Sequence, residues 1–125
     1  MITRNLVGMA FVLSLCFAGL IPASGEEHIS ANYYLPSCKD LVNGQSDINP
    51  FQQGLCAGTI DTLASVAKYM PLQTARSCTP EDNTVTITQM TAVVVRWLDE
   101  HPQRWNENFK NLVLYALHDA WPCHK

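Results

Sequence analysis

Cysteine placement constrains this chain more than any other feature. Of its five cysteines, Cys16 lies in an apolar leader, and Cys38, Cys56, Cys78 and Cys123 lie in the polar remainder. The leader opens on Met1–Asn5 with Arg4, continues through an almost wholly apolar Leu6–Ile21, and ends in the small residues Ala23, Ser24 and Gly25 before Glu26-Glu27. That layout reads as a cleaved secretory signal peptide over residues 1–25. Its apolar run of about 16 residues is short of the roughly 20 needed to span a bilayer, so no membrane attachment is expected after cleavage. Four cysteines in a small exported chain read as two disulfides. None of the spacings is C-x-x-C, which argues against a zinc site or a thioredoxin-like pair.

Caps and periodicity predict helices. Residues 26–36 have no sustained period and read as a flexible lead-in, followed by a helical domain over 37–125. Ser37 reads as the cap of a short first helix that stops at Asn43-Gly44. Asn49-Pro50 starts a second, with Gln52 as the reach-back partner of a capping box and Phe51, Leu55, Thr59, Leu63, Val66 and Met70 as its inner stripe. Gly54 and Gly58 within it read as sites of close helix packing. Thr86 and Gln89 form a capping-box pattern for a third helix, with Ile87, Met90, Val94, Trp97 and Leu98 facing inward. The β-branched run Ala92–Val95 also suits a strand, but cap and spacing favour helix. His101-Pro102 breaks the chain. A fourth helix is expected from Gln103 or Arg104, with Trp105, Phe109, Leu112, Val113, Ala116, Leu117 and Ala120 as its stripe, ending at Pro122.

The fold class is therefore all-α, a small antiparallel bundle of about four helices stapled by two disulfides. In such a bundle the end of the fourth helix lies near the loop between the second and third. Cys123 should then meet Cys78, while Cys38 and Cys56 pair near the start of the second helix.

No catalytic constellation is visible. Every cysteine in the domain is assigned to a disulfide, and neither a G-x-S-x-G elbow nor a glycine-rich phosphate loop occurs. His28 and His124 are near the ends of the mature chain, His101 caps a helix, and His118-Asp119 are helix neighbours that point apart. Trp97, Trp105 and Trp121 read as core. Without Arg4 there are 7 basic residues against 11 acidic, a net charge of −4 with no basic stripe, which argues against nucleic acid as a partner. The residues favour a non-enzymatic binding protein with no cofactor and no metal.

Four ordered stretches carry a family resemblance: Gly54-Leu55-Cys56-Ala57-Gly58-Thr59-Ile60, Cys78-Thr79-Pro80, Gln89 with Trp97–Pro102, and Ala116–Cys123. Together they resemble the Rap/Tai immunity family, small periplasmic helical proteins that neutralise peptidoglycan amidase effectors delivered by type VI secretion. The resemblance implies a helical fold, a periplasmic location, a homodimer and an amidase as protein partner. On that reading the loop Pro71–Val85, held by Cys78, is the candidate binding element. Its acidic pair Glu81 and Asp82 would suit a basic substrate groove. The alternative is a housekeeping periplasmic protein of the same fold, a small-ligand or envelope-protein binder or a stress chaperone.

Overall fold

The structure, a computed structural model, describes residues 30–71, 76–80 and 84–124. The expected signal peptide, residues 26–29 of the lead-in, and the pair Glu81 and Asp82 lie outside the described residues. Four helices follow one another: α1 (Ala31–Val42), α2 (Pro50–Ala67), α3 (Ile87–Glu100) and α4 (Phe109–Ala120), with a 3-10 turn at Pro102–Arg104 before α4. α1 lies across α2 and α3, and α4 lies against α2 and α3. The all-α bundle with its two disulfides is the fold read from the sequence.

The lead-in reading fails over residues 31–36, because α1 starts at Ala31 rather than at a Ser37 cap. Ser30 supplies no side-chain cap. The first N–H groups of α1 instead reach across the fold: Ala31 donates to the Glu107 carbonyl (3.1 Å) and Asn32 to the Trp105 carbonyl (3.0 Å). Asn32 Nδ2 also donates to Asn106 Oδ1 (2.7 Å). Pro36 is tolerated inside the helix, at the loss of one i to i−4 hydrogen bond. Ser37, the expected cap, is buried at mid-helix beside Cys38. Tyr34 stacks on Phe109 with centroids 4.4 Å apart, so this segment belongs to the core. α1 does stop where expected: Gly44 adopts φ +72°, the left-handed position that follows many helix ends.

α2 is capped as read, Asn49 accepting from the Gln52 N–H (3.2 Å). The Gln52 side chain does not reach back, however; its Nε2 donates to the Tyr33 hydroxyl (2.6 Å). The larger correction concerns which face is buried. Cys56, Ile60, Ala64 and Ala67 face the core together with Gln53. Of the expected inner stripe, Phe51 is 71% and Val66 45% exposed, and Leu55, Thr59, Leu63 and Met70 are only partly covered. Both faces of α2 are apolar, so periodicity alone does not choose between them. The Cys38–Cys56 disulfide does: both sulfur-bearing residues are fully buried, with Cα atoms 5.6 Å apart, and the bond turns the Cys56 face inward. Gly54 and Gly58 consequently face open space; a Cβ on either would meet nothing within 4 Å. They are not sites of close packing inside this fold.

α3 carries the full capping box: Gln89 N–H donates to Thr86 Oγ1 (3.2 Å) and Thr86 N–H to Gln89 Oε1 (2.8 Å). Its β-branched run is helical, with Val94 and Val95 buried. α4 starts five or six residues later than expected, at Phe109, capped by Asn108, whose Oδ1 accepts from the Lys110 N–H (3.0 Å). Residues 102–108 are instead folded back onto α3. Trp105 donates its indole N–H to the Leu98 carbonyl (2.8 Å), and Arg104 makes two 2.8 Å contacts with the Glu107 carboxylate. Trp105 is thus a half-buried turn residue rather than part of the α4 stripe. The centre of the core is Phe109, Leu112, Val113 and Leu117 of α4 against Ile60, Val94 and Leu98, all fully buried.

Candidate partner-binding surface

The segment between α2 and α3 is anchored at its middle by the C-terminal end of α4. Cys78 and Cys123 are bonded, with Cα atoms 5.0 Å apart. Beside them, Ser77 pairs with Pro122 in an antiparallel bridge, and the Cys78 N–H donates to the Trp121 carbonyl (2.8 Å). His118 adds a fourth tie, its Nδ1 lying 2.6 Å from the Arg76 carbonyl oxygen. A carbonyl has no proton to give, so Nδ1 is the donor. The clamp therefore has one covalent bond and several polar contacts, all made by α4 or the residues just after it.

Among the described residues, the buried atoms Arg76 Nε, Ser77 Oγ and Thr79 Oγ1 of this segment find no protein hydrogen-bond partner. Thr79, Pro80 and Val85 also line a cleft of about 300 Å³ with Asp61 and Ser65 of α2, Lys68 just after it, and Met90 of α3. The clamped segment and the C-terminal half of α2 thereby form one continuous surface. Glu81 and Asp82, the pair singled out in the sequence, fall in the part of this segment outside the described residues.

The histidine–aspartate neighbours have separate structural tasks. His118 holds Arg76. Asp119 Oδ2 accepts the Trp97 indole N–H at 2.7 Å, joining α4 to α3. Trp97 is also stacked on His101 (4.0 Å), whose Nδ1 donates to the Trp97 carbonyl (2.6 Å), and the Arg104 guanidinium lies over Trp97 (5.4 Å) and Tyr115 (4.7 Å). The hydrogen-bonded Glu107 carboxylate raises the Arg104 pKa, and the guanidinium in turn holds the Glu107 carboxyl below its usual range. This corner is a packing device whose polar groups satisfy one another. Among the described residues, no three His, Cys, Asp or Glu side chains gather as a metal site, and no helix is long and apolar enough to cross a membrane.

Sequence reasoning found the Cys78–Cys123 tie and missed the contacts that reinforce it. The His118–Arg76 contact spans 42 positions, and no local pattern announces it. It also missed the outward face of α2, where Gly54, Leu55, Gly58, Thr59 and Leu63 line an open groove of about 470 Å³ beside Lys110 of α4. The signal for that face was present: α2 has more apolar positions than one buried stripe uses.

The comparisons with known proteins bear on the chain as a whole. A family model described as Rap1a immunity proteins matches residues 30–123. No curated protein and no solved structure matches the chain. The matched range begins one residue before α1 and ends on the second cysteine of the clamp, so it takes in all four helices and both disulfides. The chain belongs to the Rap1a immunity protein family.

Proposed function

We propose that this protein is a periplasmic immunity protein that neutralises a peptidoglycan amidase effector delivered by type VI secretion, acting as a homodimer and binding so as to occlude the enzyme's substrate groove. The observation that carries the reading is the clamped segment between α2 and α3. An inhibitor that plugs a groove gains affinity when its inserting element is ordered before binding, because little conformational entropy is then lost on association. Here a disulfide, a backbone bridge and a histidine contact hold residues 76–78 in one arrangement. On this reading Glu81 and Asp82, three and four positions beyond Cys78, are carried at the working end, where their charge complements a basic groove. Membership of an immunity family supports a protein partner. Two disulfides in a chain of this size support an oxidising compartment, and residues 1–25 read as the export signal that would lead there.

The test is protection of a cell whose periplasm receives such an amidase. The full-length chain should prevent lysis, and a chain lacking residues 1–25 should not, because it remains on the wrong side of the inner membrane. Glu81→Lys together with Asp82→Lys should weaken protection while leaving the melting temperature unchanged. Protection by the leaderless chain, or full protection by the charge-reversed pair, would overturn the site of action or the role of the loop respectively.

A further inference from the structure

Among the described residues, none covers the apolar face of α2 on the side opposite its buried residues. Of the five large hydrophobic side chains exposed among the described residues, four lie on α2 or at its ends: Ile48 (64%), Phe51 (71%), Val66 (45%) and Tyr69 (79%). Phe51, Leu55, Gly58, Thr62 and Val66 follow one another at spacings of three and four, so they share a helix face. None of them is charged. The ionisable residues of α2 and its C-terminal end, Asp61 and Lys68, line the cleft beside the clamped segment instead. A helix that is apolar on both sides is ordinarily covered on both.

The arrangement along this face is symmetric about its middle. A two-fold axis passing between Gly58 and Thr59 would set two copies of α2 antiparallel. Phe51 of one copy would lie opposite Val66 of the other, and Leu55 opposite Thr62. Ile48 and Tyr69, just outside the two helix ends, would meet in the same register. Phe51 and Leu55 thus fall on the smaller Val66 and Thr62, and Gly58, where a Cβ would meet nothing within 4 Å, sits at the point of closest approach. A self-complementary surface of this kind is what an isologous two-fold interface requires.

We infer that the outward face of α2 is a homotypic interface, on which a second copy of this chain packs its own α2 antiparallel about Gly58. This rests on the homodimer proposed above and assigns its surface. A helix of 18 residues presents a strip about 27 Å long and 10–12 Å wide. That is well below the roughly 800 Å² each partner buries in a standard interface, which places this one among the weak, reversible class. Association is therefore expected to depend on protein concentration. The interface leaves the clamp between Cys78 and Cys123 free for a different protein.

Sedimentation equilibrium of the mature chain, from about 1 μM to several hundred μM, the range in which a weak, reversible dimer dissociates, tests the assignment. The wild type should pass from monomer to dimer over this range. Gly58→Arg should weaken association at least tenfold without lowering the melting temperature, since the site is open in the monomer and glycine is a poor helix residue. Phe51→Lys and Val66→Asp, both at exposed positions, should each weaken association alone. Combined, they should recover it at low salt and lose it again at high salt. The two positions are about 22 Å apart along one helix, so only the antiparallel partner can bring them together. A wild type that stays monomeric throughout would overturn both the homodimer and its surface. A dimer indifferent to Gly58→Arg would overturn the α2 surface while leaving the homodimer standing, and failure of the double variant to recover would overturn the antiparallel register.

Discussion

Opening the Cys78–Cys123 bond should cost this domain a large part of its stability. The bond closes a loop across a separation of 45 residues, and the chain-entropy relation assigns a loop of that length about 4 kcal/mol. A loss of about 2–4 kcal/mol, the usual range for a disulfide, is expected, against a total of about 5–15 kcal/mol for a domain. With roughly 4–8 °C per kcal/mol at this size, the melting temperature should fall by about 8–32 °C. The perturbation is Cys78→Ala with Cys123→Ala, which leaves no lone thiol. The assay is thermal unfolding followed by circular dichroism, with the wild type run without reductant. Burial provides an independent route to the same state. Cys38 and Cys56 are fully buried whereas Cys78 is exposed, so mild reductant should open the clamp first and reproduce the double variant. A melting temperature within about 5 °C of wild type for both would refute the reasoning, since it would equal the effect of roughly 1 kcal/mol or less.

Other perturbations separate the core, the caps and the charged corner. Phe109→Ala removes a fully buried ring stacked on Tyr34 and should cost about 3–5 kcal/mol, read as a lowered denaturant midpoint with little change in slope. Thr86→Ala removes one half of the α3 capping box and should cost about 1 kcal/mol in the same titration. Glu107 has its carboxyl pKa lowered by Arg104, so its contribution is present above the unfolded pKa and is lost as pH falls through the folded one. The Glu107→Gln variant should therefore melt slightly below wild type at neutral pH, and the gap should close in acid; the pair is at the surface, so the gap is small.

Local signals in the sequence located what local physics decides. Asn49-Pro50 and Thr86 with Gln89 lie within three residues of the groups they satisfy, and both helix starts were legible. The start of α1 was not, because its N–H groups are met by the carbonyls of Trp105 and Glu107, more than seventy positions away. The start of α4 was misplaced because Trp105 continues the apolar stripe in sequence, while its indole N–H is drawn to Leu98 and holds it in a turn. For α2 the sequence offered two apolar faces. The bulkier one was preferred, yet the disulfide at Cys56 buries the other. The same ambiguity left the outward face unnoticed as a surface. The clamp followed from topology alone, whereas the His118 contact that reinforces it required the three-dimensional arrangement.

Titration of the purified, oxidised mature chain against a type VI peptidoglycan amidase, with hydrolysis of peptidoglycan as the readout, tests the proposed function at its source. The expected result is stoichiometric loss of hydrolysis by the wild type and weaker inhibition by the Cys78→Ala, Cys123→Ala double variant at a temperature where that variant remains folded. Undiminished hydrolysis with this protein in large excess, across amidases of the class, would contradict it.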